Sequence, residues 1–110
     1  MKVPDIYRAL GDSTRRRILS MLKQENKTQK EIVEAFAISQ PAIKKHLNIL
    51  LEENIITESL KGKYRIYSLN FNVLQITLQE MHQFTGELLD SQLVSLKKYV
   101  EKGEVQDEHD

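Results

Sequence analysis

The chain of 110 residues has no cysteine and no tryptophan. Without thiols it forms neither disulfides nor thiolate metal sites. With aromatic residues at only 6%, its core has to be aliphatic and modest in volume. Chains of this size often complete their burial by pairing. Glycine occurs four times and proline twice, so each marks a particular place. No apolar run approaches the ~18 residues of a membrane span, and no basic-then-apolar stretch opens the chain. A cytoplasmic protein with no membrane-inserted segment is the expectation. There is also no nucleophile motif, no Gly-rich phosphate loop and no cluster of histidines, which removes the usual grounds for expecting an enzyme.

Net charge is absent too, with 16 basic and 16 acidic residues. Their distribution is uneven. Residues 1–69 carry 13 Lys or Arg against 8 Asp or Glu, a surplus of five positive charges. Residues 70–110 carry 3 against 8, a surplus of five negative ones. Segregation of this kind can leave a basic face on a neutral molecule.

What is present centres on residues 39–53, SQPAIKKHLNILLEE. Ser39 can cap a helix by accepting from first-turn N–H groups, and Pro41 falls where a missing N–H does no harm. Ile43, Leu47 and Leu50 recur at helical spacing and form an inner face. Gln40, Ala42, Lys44, Lys45 and Asn48 fall on the outer one. Glutamine can pair bidentately with adenine, lysine can reach guanine or phosphate, and alanine can meet a thymine methyl. An isolated helix of this kind is more often simply solvated, so the neighbouring segments decide.

Residues 4–10 read as a short helix ended by Gly11. A second helix, capped by Asp12 or Ser13, runs to about Lys23 with Ile18, Leu19 and Leu22 inward. Arg15, Arg16 and Arg17 near its start oppose the helix dipole, so they call for partners, either carboxylates or phosphates. Gln24 to Lys27 reads as a polar break. Thr28 and Glu31 have capping-box spacing for a brief helix with Ile32, Val33 and Phe36 buried. About three residues then lead to Ser39, which makes a helix-turn-helix pattern. Asn54 can end the next helix in the left-handed conformation. Residues 55–60 and 64–69 are two β-rich runs around Lys61-Gly62-Lys63, a hairpin whose tip carries Lys61, Lys63 and Arg65. The expected fold is mainly α with a small β-hairpin wing, a winged helix-turn-helix.

Asn70 caps a last helix of about 30 residues, ~45 Å long. Leu74, Leu78, Met81, Phe84 and Leu88 form its first apolar stripe. Leu89, Leu93, Leu96 and Val100 form a second, offset after Gly86. So long a stripe exceeds what the small core can cover, so helices 1 and 5 are expected to form a homodimer interface from Ile6, Leu10, Leu74, Leu78, Met81, Phe84 and Leu88. The folded domain is placed at residues 1–102 and an acidic, disordered tail at 103–110.

Three stretches together resemble the winged-helix repressors of the arsenical-resistance (ArsR) type. Ala9-Leu10-Gly11-Asp12-Ser13-Thr14-Arg15 is similar to that family's opening motif, with Ser13 in place of the usual proline. Ser39 through Leu47 resembles its recognition helix, and Lys61-Gly62-Lys63 through Leu69 its wing. A shorter likeness, Ser68-Leu69-Asn70 with Val73-Leu74-Gln75, is similar to small autorepressors of toxin-immunity operons. The resemblance implies a homodimeric repressor binding double-stranded DNA at an imperfect palindrome. It implies DNA contacts by Ser39, Gln40, Ala42, Lys44, Lys45, His46, Lys61, Lys63 and Arg65. The family's metal sensors carry Cys-x-Cys on the helix before the turn, where this chain has residues 28–30, without cysteine. His82, with Glu80 two residues earlier, is a poor one-face ligand pair. No cofactor is therefore expected, and the inducing protein or small molecule stays unassigned. The rival readings are a metal-responsive repressor with an unrecognised site, and a winged-helix module for protein interaction.

Overall fold

A side-chain cap starts each of the five helices among the described residues. A computed structural model describes residues 3–101. Asp5 accepts from the backbone N–H of Arg8 and opens α1 (Ile6–Leu10). Asp12 accepts from Thr14 N–H at 2.7 Å and opens α2 (Ser13–Gln24). Thr28 and Glu31 satisfy each other's N–H groups in a complete capping box at α3 (Gln29–Glu34). Ser39 accepts from Ala42 N–H at the head of α4 (Gln40–Glu52), and Asn70 from Val73 N–H at the head of α5 (Phe71–Glu101). These side chains satisfy donors that a helix start otherwise leaves open.

Three strands complete the fold: β1 (Lys27–Thr28), β2 (Ile56–Lys61) and β3 (Tyr64–Leu69). All pairings are antiparallel, in the order β1-β3-β2, with β2 and β3 joined as a hairpin. The strand β1 corrects the expectation of a plain polar break there. Its two residues carry no alternation, and their pairing with Ile66 and Tyr67 of β3 comes from the tertiary fold. The first helix also starts later than expected, at Ile6, and Val3 and Tyr7 are exposed.

The core is aliphatic. Ile18 and Leu22 of α2, Ile32 of α3, and Ile43, Leu47 and Leu50 of α4 close on one another with Ile55, Ile56 and Tyr67. Asn54, at φ 58°, turns the chain from α4 toward β2 as expected. The buried carboxylate of Glu53 ties α1 to the end of α4. It accepts from Asp5 N–H at 2.9 Å and from Arg8 Nη1 at 2.6 Å.

The chain divides into two units between Thr77 and Leu78. The first holds α1 to β3 and the opening turns of α5. In it Thr77 is buried, and its hydroxyl donates to the carbonyls of Val73 and Leu74. The second is the rest of α5, which runs through Gly86 without interruption. Leu78, Phe84, Leu88 and Leu89 are each at least half exposed there, and Met81 is half-buried. The stretch 103–110 and His109 lie outside the described residues.

Candidate nucleic-acid interface

The amphipathic pattern of α4 sorts its side chains into three levels. Ile43, Leu47 and Leu50 have no solvent exposure and anchor the helix. Gln40, Lys44, Lys45 and Asn48 stand fully on the outer face, while Ala42 and His46 sit half-buried along its rim. Ser39 is exposed but its Oγ is engaged as the cap.

The hairpin tip is a two-residue turn, since Lys61 pairs with Tyr64. Gly62 takes φ +62° there, a conformation that strains any residue with a Cβ. Lys61, Lys63 and Arg65 are all exposed, and the Lys63 ammonium lies 5.7 Å from the centroid of the Tyr64 ring. Arg65 is not wholly free, because Glu58 on the neighbouring strand lies 3.8 Å from its guanidinium.

An open cleft of about 410 Å³ joins the two elements. Gln40, Lys63 and Arg65 line it together with Thr28, Gln29, Lys30, Val33, Glu34 and Tyr64. Lys44, Lys45 and His46 continue along the helix, and Lys61 lies across the turn; none of these lines the cleft. Sequence reasoning missed Gln29, Lys30 and Tyr64, whose proximity depends on the sheet that β1 completes. Lys30 there stands 4.0 Å from Glu34 one turn on.

The arginine run finds partners that the sequence did not suggest. Arg15 donates from Nε to the Ala9 carbonyl, from Nη2 to the Arg8 carbonyl, and from Nη1 to His46 Nδ1. Arg16 donates to the carbonyl of Leu10. Both thus donate to carbonyls at the end of α1, where positive charge also suits the dipole. Arg17 lies over the Phe36 ring, 4.6 Å from its centroid. Among the described residues the hydrogen-bond partners of Arg15 and Arg16 are thus carbonyls and an imidazole in place of the expected carboxylates.

Comparison with known proteins points the same way. The family model described as "Bacterial regulatory protein, arsR family" matches residues 12–58. The chain is 42% identical over 83 residues to "Transcriptional repressor SdpR" of Bacillus subtilis (strain 168), covering 76% of this chain and 92% of that one. It is 38% identical over 65 residues to the "Arsenical resistance operon repressor" of the same organism, covering 58% and 62%. Among solved structures it is similar to "Possible transcriptional regulator for arsenical resistance", with TM-score 0.72 and 27% identity over 84% of this chain and 97% of that one. A further likeness is "ArsR-like Transcriptional Regulator from Rhodococcus sp. RHA1", with TM-score 0.68 and 26% identity.

Proposed function

The chain belongs to the arsR family of bacterial regulatory proteins and is a DNA-binding transcriptional regulator, not an enzyme; from that premise we propose that it is a dimeric repressor of its own or a neighbouring operon, working without a metal cofactor. The observation that carries this reading is the shared cleft of Gln40, Lys63 and Arg65. An amide suited to base edges beside cations suited to phosphates supports the reading. Lys44, Lys45 and Lys61 extend the positive face. That the relative SdpR is named a repressor supports the sign of the regulation.

The donor set argues against the family's thiolate chemistry. The Thr28 hydroxyl, at the position of a sensor cysteine, is engaged in the capping box, and Lys30 is no metal ligand. Among the described residues no three His, Asp or Glu side chains are grouped to hold an ion. Release of DNA then comes from a protein partner, a small molecule, or the protein's own concentration. Micromolar zinc, cadmium or nickel should leave operator affinity intact.

The proposed dimer draws on both units separately. In the first, Leu10 and Leu74 line an apolar groove of about 350 Å³ with Leu19 and Leu69, whereas Ile6 is already buried within the chain. In the second, Leu78, Met81, Phe84 and Leu88 form the continuing stripe. A two-fold pair of recognition helices would read half-sites ~34 Å apart in an imperfect palindrome. The cytoplasm, where such DNA lies, is the proposed location, and among the described residues no helix is long and apolar enough to cross a membrane.

Genome-wide footprinting of the purified protein tests the reading. It should give protected palindromes upstream of a few genes, and Gln40→Ala should relax their sequence preference by about 1–3 kcal/mol. Equal loss on specific and random duplexes would reassign Gln40 to the backbone. No protection anywhere would remove the regulatory reading.

A further inference from the structure

We infer that Arg15 is a positioning residue for DNA recognition: it holds His46 as the Nε2–H tautomer, so that the rim of α4 presents a neutral hydrogen-bond donor to a phosphate oxygen of the DNA backbone. The inference rests on the DNA-binding reading given above.

Its starting point is an asymmetry in hydrogen-bonding capacity. A guanidinium has five N–H donors and no acceptor. Arg15 Nη1 lies 3.1 Å from His46 Nδ1, so that nitrogen has to supply the lone pair. The ring proton then resides on Nε2. A doubly protonated ring would set an N–H against an N–H and lose the bond. Arg15 is itself well fixed, because Nε and Nη2 hold the carbonyls of Ala9 and Arg8 at 3.1 and 2.9 Å. The clamp does not depend on Gly11. A Cβ there would lie 3.1 Å from the Tyr7 carbonyl oxygen and 3.9 Å from Arg15 Nη2. The end of α1 clamps the guanidinium, and the guanidinium orients the imidazole.

No hydrogen bond from the described residues occupies the other side of the ring, although the Asp12 carboxylate is near enough to interact with it electrostatically. Among the described residues His46 Nε2 has no hydrogen-bond partner, and no buried side-chain nitrogen or oxygen lacks one. Nε2–H therefore reaches solvent. His46 lies one turn beyond Ala42 on the half-buried rim, beside and not within the exposed row of Gln40, Lys44, Lys45 and Asn48. On a helix lying in the major groove, the rim faces the groove wall, where the phosphates run. A neutral donor adds a hydrogen bond there without displacing a counterion, so its loss should leave the salt dependence unchanged.

Two measurements on the full-length protein test this. Nitrogen-15 NMR of the imidazoles, with His46 assigned by loss of its signals in His46→Gln, should show an unprotonated Nδ1 and a protonated Nε2. In Arg15→Ala the same ring should exchange between both tautomers. If that variant does not fold, Arg15→Lys, which keeps the charge but cannot bridge three acceptors, should show the same exchange. The second measurement is affinity for duplex DNA. His46→Gln, whose amide nitrogen reaches the Nε2 position, should keep more of the parent's affinity than His46→Asn does. His46→Asn, whose amide falls at the Nδ1 position, should lose roughly three- to tenfold on specific and random duplexes alike, with an unaltered salt slope. Arg15→Lys should weaken binding in the parent and change it little in the His46→Gln background. A proton on Nδ1 in the parent, or equal binding by the Gln and Asn variants, overturns the inference. Failure of the parent to bind any duplex would overturn its DNA half together with the regulatory reading, and the spectrum would still decide the tautomer.

Discussion

Glu53 shows how one acidic side chain can hold two helices in place. It is fully buried, and its carboxylate takes both the Asp5 N–H and the Arg8 guanidinium. Arg8 is also 2.8 Å from the more exposed Glu52, and the two glutamates hold its guanidinium above the ordinary arginine range. Removing Glu53 would leave the Asp5 donor without its acceptor and a cation without its buried partner. Glu53→Ala should therefore destabilise the fold by about 2–3 kcal/mol, less than for a wholly buried pair because Arg8 reaches water. Urea unfolding checks the figure, and Glu53→Gln, which keeps an acceptor, should lose less. None of this was legible from the sequence. Glu52-Glu53 reads as the polar end of a helix, and nothing local says that one of the pair turns inward toward residues 45 and 48 positions earlier.

At the scale of elements, the caps were the most legible feature, because each depends on residues two or three positions apart. Thr28 with Glu31, Ser39, Asn54 and Asn70 all act as their spacing suggests. The short β1 and the cleft residues Gln29, Lys30 and Tyr64 were not legible, since long-range strand pairing brings them together. The caps also carry a pH dependence. The Thr14 N–H, first among its neighbours, holds the Asp12 carboxyl below its ordinary 3.8. The backbone N–H and then the hydroxyl of Thr28 hold the Glu31 carboxyl below 4.5. Lowered carboxylates contribute stability that is complete above their ordinary values and lost as pH falls through the lowered ones. Melting temperature should stay level from neutral pH to about 5 and decline below it, with a shallower decline in Asp12→Asn and Glu31→Gln. The wing makes a separate prediction. Lys63→Ala should reduce the salt slope of DNA binding by about one phosphate's worth, ~0.9. Arg65→Ala should do less, because Glu58 already shares that charge. Glu58→Gln should tighten binding to any duplex. An unchanged slope after loss of both cations would take the wing out of the interface.

For the whole molecule, the proposed pairing explains why so much leucine stands in water. Replacing Leu78 and Met81 together by glutamate should produce monomers and abolish operator binding, although neither residue belongs to the proposed DNA-facing set. Sedimentation at micromolar concentration reads this directly, and a folded monomer of the parent chain that bound a half-site with full affinity would refute the dimer. The three levels of α4 have one more consequence. Among the described residues the side chains of Gln40, Lys44, Lys45 and Asn48 make no hydrogen bond or ion pair within the chain, while Ile43, Leu47 and Leu50 are sealed in the core. Surface changes of the first kind usually leave stability within about half a kcal/mol. In the proposed reading, the address on this face is thus free to drift while the scaffold that presents it stays constant. A duplicated copy could acquire a new operator through a few substitutions on one helix face, and selection on folding would not notice the change.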